Sequence, residues 1–94
     1  MTKVVINRCH GGFGLSDQAE QLYKERKDIT DPNWYHWEIP RDDPVLVQIV
    51  EEMGEGADGM YSELGIVEIP EDVNWYVEEY DGLEWVAERH RTWN

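Results

Sequence analysis

Apolar residues fall along this chain in short patterns, and each pattern asks for a particular element. Val4-Val5-Ile6 is a compact β-branched run with no polar interruption, the signature of a strand buried on both faces. It ends in Asn7 and, after Arg8, Cys9 and His10, enters Gly11-Gly12-Phe13-Gly14, whose glycines can take the positive φ of a sharp turn. Leu15 and Ser16 read as a pre-cap hydrophobe and an N-cap, with Asp17 placed near the positive end of the helix dipole. Ala19, Leu22 and Tyr23 then supply a narrow apolar stripe at helical spacing, which fades near Lys27-Asp28. The second helix is signalled more fully. Asp43 is an N-cap, Pro44 takes the first helical position and Gly54 stands just past the end. Between them Leu46, Ile49, Val50 and Met53 repeat at i, i+3, i+4 and i+7, with Val45 and Val47 widening the face. Burying that face is worth roughly 1.5–3 kcal/mol per large side chain, so this helix is expected to be the main core element.

Residues 54–59, with three glycines, read as a flexible connection, and three candidate strands follow. Leu64-Gly65-Ile66-Val67-Glu68-Ile69 stops at Pro70. In residues 73–80, Val73, Trp75 and Val77 share one face, and Asn74, Tyr76, Glu78 and Tyr80 the other. Asp81-Gly82 is a hairpin dipeptide. Beyond it Leu83, Trp85 and Ala87 share a face, while Glu84, Val86 and Glu88 share the opposite one. The expected fold is α+β in a single domain: a mixed or antiparallel sheet of about four strands, two helices on one face, and a C-terminal β-hairpin. The first strand, being the most apolar, is expected at the centre. Asp31-Pro32-Asn33 marks a turn, and Trp34-Tyr35-His36-Trp37 has too many rings for an ordinary exposed loop. That segment either covers the core or presents an aromatic edge to a ligand or second subunit.

Composition sharpens this picture at three points. Five Trp, five Tyr and one Phe in 94 residues are more rings than a small core needs, so some are expected in a pocket or interface. Cys9 stands alone, which excludes an internal disulfide and a cysteine-rich structural zinc site. No apolar run approaches the roughly 20 residues of a membrane span and no signal-peptide pattern opens the chain, so a cytoplasmic protein is expected. The net charge of −13 is lopsided: residues 1–47 hold six Lys/Arg and eight Asp/Glu, residues 48–94 two and thirteen. Direct contact with a DNA or RNA backbone is disfavoured, because such contacts need basic residues. The acidic half is either a solvated surface or one that imitates nucleic acid or docks on a basic partner.

Two groups of residues carry candidate chemistry. A strand, a glycine turn and a helix start aim backbone N–H groups at one spot, as suits an anion. Asn7, His10 and Ser16 are polar company for that turn. Neither a Walker loop nor a full dinucleotide fingerprint is present, since position 17 is Asp rather than Gly. A tight turn with no ligand is the competing reading. The second group is cationic: Arg41, Arg89, His90 and Arg91 stand out in so acidic a chain, either as a clamp for phosphate or carboxylate or as partners of neighbouring acids. Cys9 beside His10 invites a nucleophile, but adjacent strand residues point to opposite faces, and a buried small hydrophobe is the simpler role. No histidine spacing indicates a metal, no cofactor motif appears, and the chain demands no reaction.

The pattern Val-Val-Ile-Asn-x-Cys-x-Gly-Gly-Phe-Gly-Leu-Ser at positions 4–16, with the closing Ile66-Val67-Glu68-Ile69-Pro70, Tyr80-Asp81-Gly82 and Glu88-x-His90-Arg91-x-Trp93, resembles a family of small uncharacterised proteins carried by bacteriophages and prophages. The resemblance implies a phage accessory protein acting in the cytoplasm of an infected bacterium, with no established activity to carry over. Small phage accessory proteins often counter host defence.

Two functions follow as expectations. The first is a non-enzymatic binder of a small anionic, nucleotide-like ligand, in which a host defence signal is sequestered. Asn7, His10, Gly11, Gly12, Phe13, Gly14 and Ser16 would form the anion side, with Arg41, His90, Arg91 and Trp93 adding charge and a stacking ring. A homo-oligomer is expected with it, since a short chain builds a deep pocket more easily between subunits. The second is an acidic inhibitor docked on a basic host protein, whose binding would be lost on charge reversal of Glu78, Glu79 and Glu84.

Overall fold

In order, β1 (Thr2–Asn7), α1 (Asp17–Lys27), α2 (Pro44–Met53), a 3-10 turn (Gly54–Ala57), β2 (Leu64–Ile69), β3 (Trp75–Tyr80) and β4 (Leu83–Glu88) make up the chain. They belong to a computed structural model that describes residues 1–32, 34 and 39–89. The class is α+β. Ser16 caps α1 by accepting the Ala19 N–H at 3.1 Å, and the Asp43 carboxylate caps α2 through the Val45 N–H at 2.8 Å. Leu46, Val47, Ile49 and Val50 are the buried face of α2. They pack with Val5 of β1, Leu15, Ala19 and Tyr23 as the core. α2 lies against β1 and β2, and α1 packs chiefly on α2 and the 3-10 turn.

The strands depart from the single four-stranded sheet. β1 pairs antiparallel with β2, and β3 with β4, as two separate two-stranded sheets. The reason lies on the second edge of β1. The Arg8 N–H meets the Glu63 carbonyl at 2.7 Å, so antiparallel alternation turns the backbone groups of Lys3, Val5 and Asn7 away from β2. The Val5 N–H donates to the Arg41 carbonyl at 2.8 Å, the Arg41 guanidinium to the Val5 carbonyl at 3.4 Å, and the Asn7 N–H to Glu84 Oε1 at 2.8 Å. A loop and one carboxylate stand where a third strand was expected. β1 is nonetheless interior: Val4, Val5, Ile6 and Asn7 are all buried.

The connection after α2 is not loose. Ala57 is fully buried, the Ser16 N–H donates to its carbonyl at 2.9 Å, and Ser16 Oγ donates to the Gly56 carbonyl at 2.6 Å. Of the aromatic segment before α2, Trp34 covers the core by stacking on Tyr23, ring centroids 5.4 Å apart. Tyr35, His36 and Trp37 lie outside the described residues.

Asp43 does more than cap α2. Its Oδ2 accepts the Tyr23 hydroxyl at 2.9 Å and lies 3.3 Å from Lys27 Nζ. Burial raises its pKa, but the bonds from Tyr23 and the Val45 N–H, together with Lys27, outweigh burial and hold the carboxyl below its usual range. Burial first, and then the bond to Asp43, push the Tyr23 hydroxyl well above its ordinary value. A depressed carboxyl stabilises the fold above the unfolded-state pKa, and that contribution is lost as pH falls through the folded-state value. The advantage of wild type over Asp43→Asn in urea unfolding is therefore expected to be full above about pH 4 and to shrink at lower pH. An advantage that stays constant down to pH 2 would contradict it.

Candidate functional site

Asn7 closes β1 with its side chain fully buried and every hydrogen-bonding position used. Its Nδ2 donates to the carbonyls of Cys9 and Gly82, both at 2.7 Å. Its Oδ1 accepts the Glu63 N–H at 2.8 Å and the Cys9 thiol at 3.4 Å. One amide thus ties the end of β1, the glycine turn, the entry to β2 and the tip of the β3–β4 hairpin. The Cys9 sulfur also lies 3.2 Å from the Tyr61 carbonyl, so its one S–H is shared between two acceptors, which fits a structural role.

Beside Asn7 sits the ion pair that brings the hairpin to the body. Both guanidinium nitrogens of Arg41 donate to Glu84, Nη2 to Oε2 at 2.8 Å and Nη1 to Oε1. The side chains retain 20% and 7% exposure. The Arg41 guanidinium also lies 3.6 Å from the centre of the Phe13 ring, a close cation–π contact. Phe13 and Arg41, both expected at a ligand site, meet each other here, and Glu84 joins Arg41 to the Asn7 backbone. The charge of Arg41 is met by Glu84, however, rather than left for a ligand. Glu84 also accepts the Asn7 N–H, so withdrawing it would leave that buried donor and the half-buried guanidinium unpaired.

The glycine turn is the seat of the hairpin tip. Asp81 (φ 51°) and Gly82 (φ 92°) form the two-residue turn between β3 and β4. A Cβ at Gly82 would run into the His10 carbonyl and the Gly12 nitrogen, and one at Gly11 into the Tyr61 carbonyl. Gly82→Ala is therefore expected to cost at least about 2 kcal/mol, from the left-handed φ and the overlap together. Gly14→Ala, at a position with open space and no positive φ, is expected to stay within about 0.5 kcal/mol. Equal urea midpoints for the two variants would sink this assignment.

The remaining sequence candidates have these places. His10 is exposed, its Nδ1 3.3 Å from the Asp81 carbonyl. The Gly14 carbonyl accepts the Gly59 N–H at 3.3 Å and the Ser62 hydroxyl at 2.8 Å. Ser16 is committed to its cap and to Gly56. The outer side of Gly12 is open. His90, Arg91 and Trp93 lie outside the described residues.

The hairpin is built against its own hydrophobic pattern. Tyr80 pairs with Leu83 across the two-residue turn, which places Tyr76, Glu78 and Tyr80 on one face with Ala87, Trp85 and Leu83. Glu84, on the other face with Val77 and Val86 as near neighbours in the register, turns inward to Arg41 and is 8% exposed. Trp85 and Tyr80 are left 40% and 70% exposed. Glu84 therefore anchors the hairpin instead of belonging to an acidic docking surface. Reversing its charge would break the anchor before any surface effect could be read. Glu79 accepts the Gly82 N–H at 2.9 Å and supports the turn.

On the outward face the Glu78 carboxylate accepts the Tyr76 hydroxyl at 2.7 Å and the Trp85 indole N–H at 2.9 Å. That bond to Glu78 raises the Tyr76 pKa above its ordinary value. The Arg89 guanidinium lies 4.8 Å from the centre of the Tyr76 ring. From the sequence, Arg89 stands out as a clamp or as a partner of neighbouring acids, and Glu78 as one acid of a docking surface; neither expectation puts them beside the Tyr76 ring. The period-two alternation that brings Tyr76, Glu78 and Tyr80 together was the available signal.

Among the described residues, a surface hollow of about 530 Å³ runs along α1 between Asp17, Leu22, Glu25 and Met53, and two others measure about 380 and 230 Å³. Neither it nor the other two is lined by Asn7, His10, Phe13, Ser16 or Arg41. Among the described residues, no three His, Cys, Asp or Glu side chains converge as metal ligands, and no helix is long and apolar enough to cross a membrane. Comparison with protein-family models, curated proteins and solved structures finds no match.

Proposed function

We propose that this protein is a docking module that presents the outward face of its β3–β4 hairpin to a basic partner protein. One observation carries the reading: a Glu is turned into the body while Trp85 and Tyr80 are left in water. Large rings grouped on one exposed face mark interaction surfaces in small proteins. The surrounding charge selects the partner, since residues 71–88 contain seven Asp/Glu and no Lys or Arg. The resemblance to phage-borne chains supports a partner in the infected bacterium, with this protein as its inhibitor. Such docking needs no homo-oligomer.

The competing reading, sequestration of a small anionic nucleotide-like ligand at the glycine turn, keeps one favourable observation. The outer side of Gly12 is open and His10 is exposed beside it. Of the cations expected for it, Arg41 is held by Glu84, and His90 and Arg91 lie outside the described residues. Calorimetry with a peptide alternating Arg and Gly, and separately with cyclic nucleotides and ADP-ribose, separates the two. The docking reading expects heat from the peptide, weakening steeply as salt rises, and none from the nucleotides. Heat from a nucleotide alone would transfer the function to the glycine turn.

A further inference from the structure

The outward face of the hairpin has a single carboxylate at its centre. Glu78 lies between Tyr76 and Tyr80 along β3 and directly opposite Trp85 on β4. Its two oxygens are oriented by different donors, Oε1 by the Tyr76 hydroxyl and Oε2 by the Trp85 indole N–H. A carboxylate offers about four acceptor positions, so each oxygen keeps one. Among the described residues, no Lys or Arg forms an ion pair with Glu78. The face already accepts a guanidinium, because Arg89 lies over the Tyr76 ring while itself remaining exposed.

We propose that Glu78, ringed by Tyr76, Tyr80 and Trp85, is a seat for one arginine side chain of a basic partner, with Arg89 standing in for it in the free protein. The inference rests on the docking function above and names the side chain that the face reads. Two carboxylate oxygens held apart by separate donors match the planar two-pronged guanidinium. Neighbouring rings offer π faces to its plane. A lysine ammonium meets the same carboxylate as a compact, more strongly hydrated charge and gains less from the rings. A second copy of this chain is a poor occupant, since its hairpin brings five more acids to the contact.

The test uses two capped peptides of equal length, one alternating Arg with Gly and the other Lys with Gly. Each is titrated into the full chain by calorimetry and by NMR of the tryptophan indole N–H signals. The Trp85 signal is identified by its absence in Trp85→Phe. The Arg peptide is expected to bind about tenfold more tightly than the Lys peptide and to shift the Trp85 signal. Glu78→Gln is expected to weaken the Arg peptide by about tenfold and to level the two peptides, with its urea midpoint unchanged. Tyr80→Leu, which removes only an exposed ring, supplies a second variant and is expected to weaken the Arg peptide several-fold. Arg89→Ala is expected to tighten it. The seat is overturned, and the docking function kept, if both peptides bind wild type and Glu78→Gln alike while still shifting the Trp85 signal; binding that leaves the Trp85 signal unmoved overturns both. Weaker binding by Arg89→Ala would overturn the stand-in role of Arg89. Absence of binding by either peptide at low salt overturns seat and docking function together.

Discussion

Replacing Asn7 by alanine is expected to remove about 3 kcal/mol of stability, because three part-buried backbone groups lose their fully buried partner and each unsatisfied group costs about 1–3 kcal/mol. The groups are the Glu63 N–H and the carbonyls of Cys9 and Gly82. A small domain holds only about 5–15 kcal/mol in total, so the variant should stand close to unfolding at room temperature. Asn7→Asp is expected to fare little better despite its shape. It keeps an acceptor for Glu63 but sets a carboxylate against two carbonyl oxygens. Urea unfolding followed by tryptophan fluorescence gives the answer. A loss under about 1 kcal/mol for alanine would show that Asn7 does not join these segments.

The second large effect is expected at the Arg41–Glu84 pair. Truncating Arg41 leaves Glu84 charged and buried, at a cost of about 3–5 kcal/mol; truncating Glu84 leaves a half-buried Arg41 and the buried Asn7 N–H unpaired, at a cost of about 2–3 kcal/mol. Arg41→Met combined with Glu84→Leu should recover part of that loss, since apolar side chains of similar size tolerate the site. Recovery is expected to be incomplete, because the Asn7 N–H still lacks its acceptor. The double-mutant cycle should show a coupling of at least about 2 kcal/mol, with little dependence on salt. Hydrogen exchange adds a spatial readout: in Glu84→Leu the amides of β3 and β4 should exchange faster while those of α2 keep their protection. A coupling near zero would mean that something other than this pair holds the hairpin.

The local features of the fold were legible because their causes are local. Ser16 and Asp43 as caps, Pro44 at the first helical position, Gly54 past the end and Asp81-Gly82 as a turn all act within a few residues. Asn7 and Arg41 also stood out, as polar and cationic residues of an acidic chain. Their purpose did not. Glu84 shares its strand face with Val86 and Glu88, and nothing local distinguishes a carboxylate that answers an arginine 43 residues away from one that faces water. The same blindness hid the second edge of β1, where loop and side-chain groups replace a strand. Alternation placed Leu83, Trp85 and Ala87 on one face correctly. Which way that face points depends on Arg41, a long-range choice that periodicity does not carry.

Hydroxyl-radical footprinting with mass-spectrometric readout tests most directly whether the hairpin is anchored by Glu84 with its rings outward and used for docking. In the free protein Trp85 and Tyr80 are expected to react quickly and Tyr23 slowly, in line with their exposures of 40%, 70% and 3%. The Arg-Gly peptide should then protect Trp85, Tyr80 and Tyr76 while leaving Phe13 unchanged. Slow reaction of Trp85 in the free protein, or protection confined to Phe13 and the glycine turn, would contradict the account.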